Sequence, residues 1–471
     1  MKKLLLLSLT YVALWAVWYF AYPYFLIWLE GFSFFTTLPD FTAIHFHLPE
    51  DIFRYVGSFL LQFYAFPAAG AAIQALLPLL FVLSIMAIIK RLFKDSEGLV
   101  WISYLFLPLY LYYQMSDMTL VRSITILAAV AAAALLVYIA TIFFKPFGNV
   151  PAFLRNRYFC AVMLLLSLGM SVSVMITYGS VGRYYEKVAH MYHLAQNKEW
   201  EEILEEISVQ ESVQNEYMRK YALLALAQTG QLTDYAFRYG LSSSEDFLFY
   251  DVQESFCLSF NVLFYRTLGM NNPAVYHSYQ QALQSVPGLS FDAMRNLTDI
   301  YLEQKDYELA RKYMDILAHT TCHRKWIRER LPELEAIKDA EPEYRMQGEQ
   351  FIMESFLPDI SSMYDRYPKD AKYADYLLCA VLANKDAATF FKIFNVVAPR
   401  IYAEGQRIPR IYQEALLLIA SKEPMVLKVY KIDDDVWKRF TDFTELMSQG
   451  KTAQAKRKYA DSYWAYAPGF K

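Results

Sequence analysis

Charge is scarce in this chain. Its 471 residues carry 45 Lys and Arg against 48 Asp and Glu, 20% in all, with only 7 His and 4 Cys. Soluble globular domains average roughly 25% charged and 45–50% apolar residues. No CxxC pair, GxSxG elbow, phosphate-binding glycine loop, zinc-protease helix or dinucleotide fingerprint occurs, so the common enzyme signatures are missing. Without a basic patch or an RNA-binding motif, the chain is not expected to bind nucleic acid. No cofactor is implied. These absences favour a binding protein over an enzyme.

What the chain has instead is apolar bulk. Hydrophobic residues make up 56% and aromatics 17%, with a mean hydropathy of +0.16. The excess is lopsided. Residues 1–179 hold 10 Lys/Arg and 7 Asp/Glu, leaving 35 and 41 for the remaining 292. The expected fold class is therefore all-α, a polytopic membrane domain over 1–179 followed by a soluble helical region.

A bilayer core about 30 Å thick takes about 20 mostly apolar residues per helix. Five stretches fit that measure: 4–28, 66–89, 99–113, 120–144 and 158–178. The third carries Pro108. A further amphipathic stretch, 52–64, contains Arg54 and Gln62 and reads as an interfacial or re-entrant helix. The first stretch is too long and aromatic, and lacks a small-x-small site, so it reads as a retained signal anchor.

Lys2 and Lys3, then Lys90, Arg91 and Lys94, then Lys145, Arg155 and Arg157 fall on one side of five spans. By the positive-inside rule that side is cytoplasmic. The N-terminus is then inside and the region after residue 178 outside. The lipid bilayer is the first expected partner.

Beyond residue 183 the pattern becomes amphipathic helices with short polar turns. The clearest unit, 297–317, ends one helix near Gln304 and starts another at Tyr307. Ala310 sits where the two helices must pack closely, beside Tyr301 and Tyr313. That is the logic of a tetratricopeptide hairpin. Weaker copies turn at Asn197-Lys198-Glu199 ahead of Trp200, at Thr229-Gly230-Gln231, at 269–272 ahead of Ala274 and Ala282, at Asn384-Lys385-Asp386 and at Gln449-Gly450-Lys451. The expectation is a TPR-like α-solenoid over 183–320, with Trp200, Gly230, Ala282, Tyr301, Ala310 and Tyr313 as packing residues. A helical continuation with degenerate repeats follows over 321–471. Solenoids of this kind bind partners, so an envelope protein is the second expected partner.

Candidate chemistry is thin. His45 and His47 with nearby acids form a weak metal pattern, outweighed by a plain solvated loop, and no metal site is expected. His190 with His193, and His319 with His323 around Cys322, share helix faces but read as packing or surface residues. Cys160 falls in the fifth span, which leaves Cys257, Cys322 and Cys379 outside with no evident pairing. An alternative to the scaffold is a membrane enzyme using lipid-linked sugars. Asp40, Glu50 and Arg54 in the first outward loop would then supply a carboxylate and a phosphate contact.

Four stretches carry a resemblance. They are Leu38-Pro39-Asp40-Phe41, the run from Tyr55 to Pro67, Gln413-Glu414-Ala415-Leu416 and Tyr463-Trp464-Ala465-Tyr466. Together they resemble an uncharacterised family of bacterial, Bacteroides-like inner-membrane proteins of unknown function. The resemblance implies a Gram-negative, Bacteroides-like host, several membrane helices and a tetratricopeptide-like tail; with the orientation given by the positive-inside rule, that tail is expected to be periplasmic. It brings no activity and no site residues.

Overall fold

A computed structural model of the chain describes residues 2–44, 49–94, 99–144, 147–149, 154, 156–252, 254–285, 288–342, 355–402, 407–421 and 423–467. Nearly all of them are helical or in turns. The exception is a short parallel pairing of Phe93–Lys94 with Phe147–Asn149. The all-α expectation holds.

The first apolar stretch is not one helix. It divides into α1 (Lys2–Ala21) and α2 (Pro23–Phe32), because Pro23 lacks an N–H and disfavours helical geometry at the residue before it. Tyr22 accordingly leaves the helical region, with φ −140° and ψ 35°. Then come α3 (Pro39–Ile44), α4 (Pro49–Leu61), a 3₁₀ turn at Gln62–Ala65, and α5 (Pro67–Leu92), which carries Pro78 inside it. The stretch read as a third span is a 3₁₀ segment, Leu99–Phe106, joined to α6 (Leu107–Met115) at Pro108. It is not a continuous helix, and its extent differs from 99–113.

Next are α7 (Val121–Phe143) and α8 (Arg157–Gln196), the latter 40 residues long. At 1.5 Å per residue α8 reaches about 60 Å, so it runs unbroken past the expected limit at residue 178. Four helical stretches among the described residues are long and apolar enough to cross a membrane: Leu4–Ala21, Pro67–Leu92, Val121–Phe143 and Tyr158–Gly179. On α7, Leu135, Leu136, Ile142 and Phe143 all point outward, the pattern of a lipid-facing surface.

The remaining helices are α9 (Trp200–Glu206), α10 (Val209–Gln214), α11 (Glu216–Gln228), α12 (Leu232–Tyr235), α13 (Ser255–Thr267), α14 (Asn271–Gln284), α15 (Phe291–Glu303), α16 (Tyr307–Ala318) and α17 (Arg324–Ala336). They continue as α18 (Phe356–Arg366), α19 (Ala371–Ala383), α20 (Ala387–Ile401), α21 (Arg410–Ala420), α22 (Val426–Val429), α23 (Asp434–Ser448), α24 (Thr452–Lys458) and α25 (Tyr463–Tyr466).

Among the described residues, six helix ends share one turn. A single left-handed residue closes each: Lys198, Gly230, Gly269, Lys305, Lys385 and Gly450, with φ between 57° and 73°. The residue after it returns an N–H five positions back, as Asp306 N to Tyr301 O at 2.8 Å and Gln231 N to Leu226 O at 2.7 Å. This is the Schellman closure, which satisfies carbonyls left open at a helix end. Asp306 and Asp386 then cap the next helix, accepting from the Leu309 and Thr389 N–H groups. A three-residue link thus ends one helix and starts the next.

By contact density the chain forms two compact units, 1–190 with 275–348, and 191–274 with 349–471. The core of the first is aromatic and aliphatic, with Phe34, Phe35 and Phe41 set among Ala282, Phe291, Leu297, Tyr301, Ala310 and Tyr313. In the second, Tyr376, Phe247 and Phe356 pack together, with Phe247 stacked on Phe356 at 4.6 Å.

Candidate functional site

The first unit contains one concentration of buried charge, and α2 organises it. Among its ten residues, almost all apolar, stands a single acid, Glu30, in the last turn and 1% exposed. A carboxylate removed from water needs partners. Arg295 on α15 supplies two nitrogens, NH1 and NH2, each 3.2 Å from Glu30 Oε2. His323, just ahead of α17, brings Nε2 to 2.9 Å from Oε1. Burial alone would push the Glu30 carboxyl up, but Arg295 and His323 outweigh it, and its pKa lies below the ordinary carboxylate value.

Each partner is itself fixed. Arg295 also faces Asp292, whose Oδ2 accepts from the Gln281 amide at 3.0 Å. His323 Nδ1 lies 3.0 Å from the Thr320 hydroxyl, and its ring packs on Phe291. Close approach depends on Gly31. A Cβ there would stand 3.2 Å from the Arg295 guanidinium and 3.3 Å from Asp292 Cβ.

The other end of α2 is held by a second acid. Glu186 on α8 accepts from the Tyr24 and Phe25 N–H groups at 3.1 and 2.7 Å, capping the helix from outside its own sequence. Burial pushes the Glu186 carboxyl up to about 7 despite those two bonds. At the break between α1 and α2, the Tyr22 ring lies over Gly182, where a Cβ would come within 2.8 Å of it. So α2 is fastened at its start by α8 and at its end by α15 and His323.

After α2 the chain runs without helix over 33–38 and lies across the open end of the α15–α16 hairpin. The Phe291 N–H donates to Ser33 O at 2.8 Å. The His319 carbonyl accepts from the Thr37 N–H and from the hydroxyls of Thr36 and Thr37, each at 3.2 Å. Phe34 packs on Phe291 with ring centroids 5.0 Å apart, and Phe35 meets Phe41, Tyr55 and Phe59. This segment is a strap tying the end of α2 to one hairpin.

The residues singled out from sequence fall as follows. Asp40 is exposed at the start of α3. Arg54 is exposed on α4 and paired with Asp51 at 3.4 Å. The side chain of Glu50, and His45 and His47 entirely, lie outside the described residues. Among the described residues no group of three His, Cys, Asp or Glu could hold a metal ion. His190 stacks on Tyr24 at 4.0 Å, while His193 meets Asn197. The His319 and His323 side chains part company, His319 to the Asp315 carbonyl and His323 to Glu30. All four cysteines are free thiols.

Ala310 is fully buried between α15 and α16, Tyr301 and Tyr313 stack at 5.8 Å, and Ala282 is buried in the same core. Trp200 is half-buried at the start of α9, and Gly230 has φ 71°. Sequence reasoning missed Glu30, Arg295 and Glu186. One signal was available, a lone acid inside the apolar run from Phe25 to Phe35.

Two further acids stand out in the second unit, the half-buried Asp375 and the fully buried Glu414. Asp375 accepts from Tyr402 and Tyr412 at 3.1 and 2.8 Å, and burial pushes its carboxyl up to about 6. Glu414 accepts the Tyr463 N–H at 2.6 Å, while its own carbonyl accepts from the Trp464 indole at 2.9 Å. Burial pushes the Glu414 carboxyl up to about 7. The two C-terminal stretches quoted for the resemblance therefore pack on each other.

The chain matches the family of unknown function DUF6057 over residues 1–177 and 142–468. It belongs to that family. No curated protein matches it. No solved structure matches it either.

Proposed function

We propose that this member of the DUF6057 family is a membrane-anchored, outward-facing helical-repeat scaffold that gathers partner proteins in the cell envelope. The observation that carries the reading is the shared turn. Six helix ends close on the same left-handed residue and the same five-back hydrogen bond. A recurrent helical hairpin is the unit from which binding solenoids are assembled. On this reading residues 183–320 form a TPR-like array and 321–471 a degenerate continuation.

The membrane part, residues 1–179, crosses five times in this proposal, with a cytoplasmic N-terminus, a bacterial inner membrane as its home and a periplasmic soluble region. The distribution of Lys and Arg supports that orientation. The broken segment 99–115 could supply the fifth crossing. Eight 3₁₀ residues rising about 2.0 Å each and nine helical ones at about 1.5 Å reach about 30 Å when collinear. The sugar-transfer alternative needs Asp40, Glu50 and Arg54 to converge. With Asp40 exposed and Arg54 tied to Asp51, no observation favours it.

Purification from membranes in mild detergent tests the scaffold. The expected result is a stoichiometric envelope protein that co-purifies with the full chain and is lost when the region after residue 183 is removed. A chain that purifies alone under conditions preserving other envelope complexes would contradict it.

A further inference from the structure

The strap at the open end of the α15–α16 hairpin shows what that surface accepts. Its recognition has two parts. One is independent of side-chain identity: the Phe291 N–H and the His319 carbonyl bond the backbone at Ser33 and Thr37. The other is a pattern. An acid enters between Arg295 and His323, and four residues later a Phe-Phe pair enters the apolar core beside Phe291, Met294 and Leu297. Main-chain bonds that fix an extended segment, with pockets that choose its side chains, are a recurring mode of peptide recognition.

We propose that this end of the hairpin is a docking site for a peptide that carries an acid at the end of a helix and, four residues later, two aromatics in an extended stretch, and that residues 30–38 are its resident, displaceable occupant. The proposal rests on the scaffold reading and names the chemistry of one partner. Charge complementarity argues for the acid, because Arg295 and His323 face each other at 3.1 Å, and Asp292, 3.7 Å from Arg295, balances that charge less closely than Glu30 does at 3.2 Å. Shape argues for the aromatics, since Phe34 is fully buried and Phe35 is 3% exposed. A tethered occupant competes at an effective concentration of roughly millimolar. A partner anchored in the same bilayer is concentrated in the same way, so it meets the strap on comparable terms.

The test uses a fluorescent synthetic peptide with the sequence of residues 28–42, titrated onto the detergent-solubilised full chain. Three chains are compared: the natural one, Glu30→Gln, and Phe34→Ala with Phe35→Ala. The double variant should bind the peptide at least roughly tenfold tighter than the natural chain, because its own strap no longer competes. Glu30→Gln, which loosens the strap and leaves the aromatic pocket intact, should fall between them. A control peptide with the acid and the first Phe both replaced by Ala should bind none of the three.

Equal affinity for all three chains, or no binding to a double variant with natural helical content, would overturn the proposal. If the double variant does not fold, the Glu30→Gln comparison decides, and equality with the natural chain overturns it. Failure here alongside an intact envelope complex removes this docking site alone. Loss of the complex removes the scaffold reading itself.

Discussion

Arg295 reaches Glu30 across 265 positions of sequence, placing NH1 3.2 Å from a carboxylate that is 1% exposed. The contact joins the end of α2, which follows α1 directly, to a hairpin that begins at Phe291. Several consequences can be measured.

Removing one member of a buried pair leaves the other without its counter-charge, which costs about 3–5 kcal/mol. Glu30→Ala should therefore destabilise the first unit by about that much. Glu30→Gln keeps hydrogen-bonding capacity and should cost less, about 1–3 kcal/mol. Chemical denaturation in detergent, followed by circular dichroism, checks both. A Glu30→Ala chain as stable as the natural one would mean that the pair contributes nothing.

Three acids, Glu186, Asp375 and Glu414, have pKa values pushed up to about 7, 6 and 7. Each binds its proton more tightly folded than unfolded. Their contribution is fully present below the ordinary carboxylate range and is lost as pH rises through about 6 to 7. The melting temperature should fall between pH 5 and pH 8, and the fall should be smaller in Glu414→Gln. A melting temperature that rises over this interval would contradict the assignment.

Ala310 stands fully buried where α15 and α16 cross. Ala310→Trp should overpack that contact at a cost of about 1–3 kcal/mol. Thermal melting of the two chains side by side is sufficient. An unchanged midpoint would show that the hairpin does not close there.

Lys305 and Lys385 hold φ of 57° and 60°, a conformation that costs a residue with a Cβ roughly 1–2 kcal/mol. Lys305→Gly relieves that strain, partly offset by about 0.5–1 kcal/mol of added unfolded-state entropy. It should be neutral or mildly stabilising. Lys305→Val, branched at Cβ, should destabilise. If Gly proves the worse of the two, the turn geometry is wrong.

Much of this was legible beforehand, for identifiable reasons. Uninterrupted apolar runs gave the helices α1, α5, α7 and the first half of α8, because hydropathy depends on neighbouring residues alone. The turns at Lys198, Gly230, Lys305, Lys385 and Gly450 were legible too, since a polar or glycine residue marks each helix end. Within the 99–113 stretch Pro108 was visible, but the 3₁₀ geometry of Leu99–Phe106 was not, because it leaves no trace in average hydropathy.

The strap was hidden for a different reason. Phe34, Phe35 and Phe41 look in sequence like the fringe of a membrane helix, and nothing local says that Phe291 and Arg295 receive them. Contacts of such sequence separation follow from the fold as a whole. Glu186 capping α2 is another case, since its partners are the backbone N–H groups of Tyr24 and Phe25, which carry no residue signature. Asp40 and Arg54 drew attention through residue type alone; both are exposed, and Arg54 pairs with Asp51.

An outward-facing scaffold requires the hairpins to lie on the outer side of the membrane. A reporter enzyme that is active only outside the cytoplasm, fused after Lys471 in the full chain, measures this directly. The expected result is an active fusion at natural expression level, with an inactive one when the same reporter follows Lys94. A stable fusion after Lys471 that is inactive would place the hairpins in the cytoplasm and contradict the outward-facing scaffold.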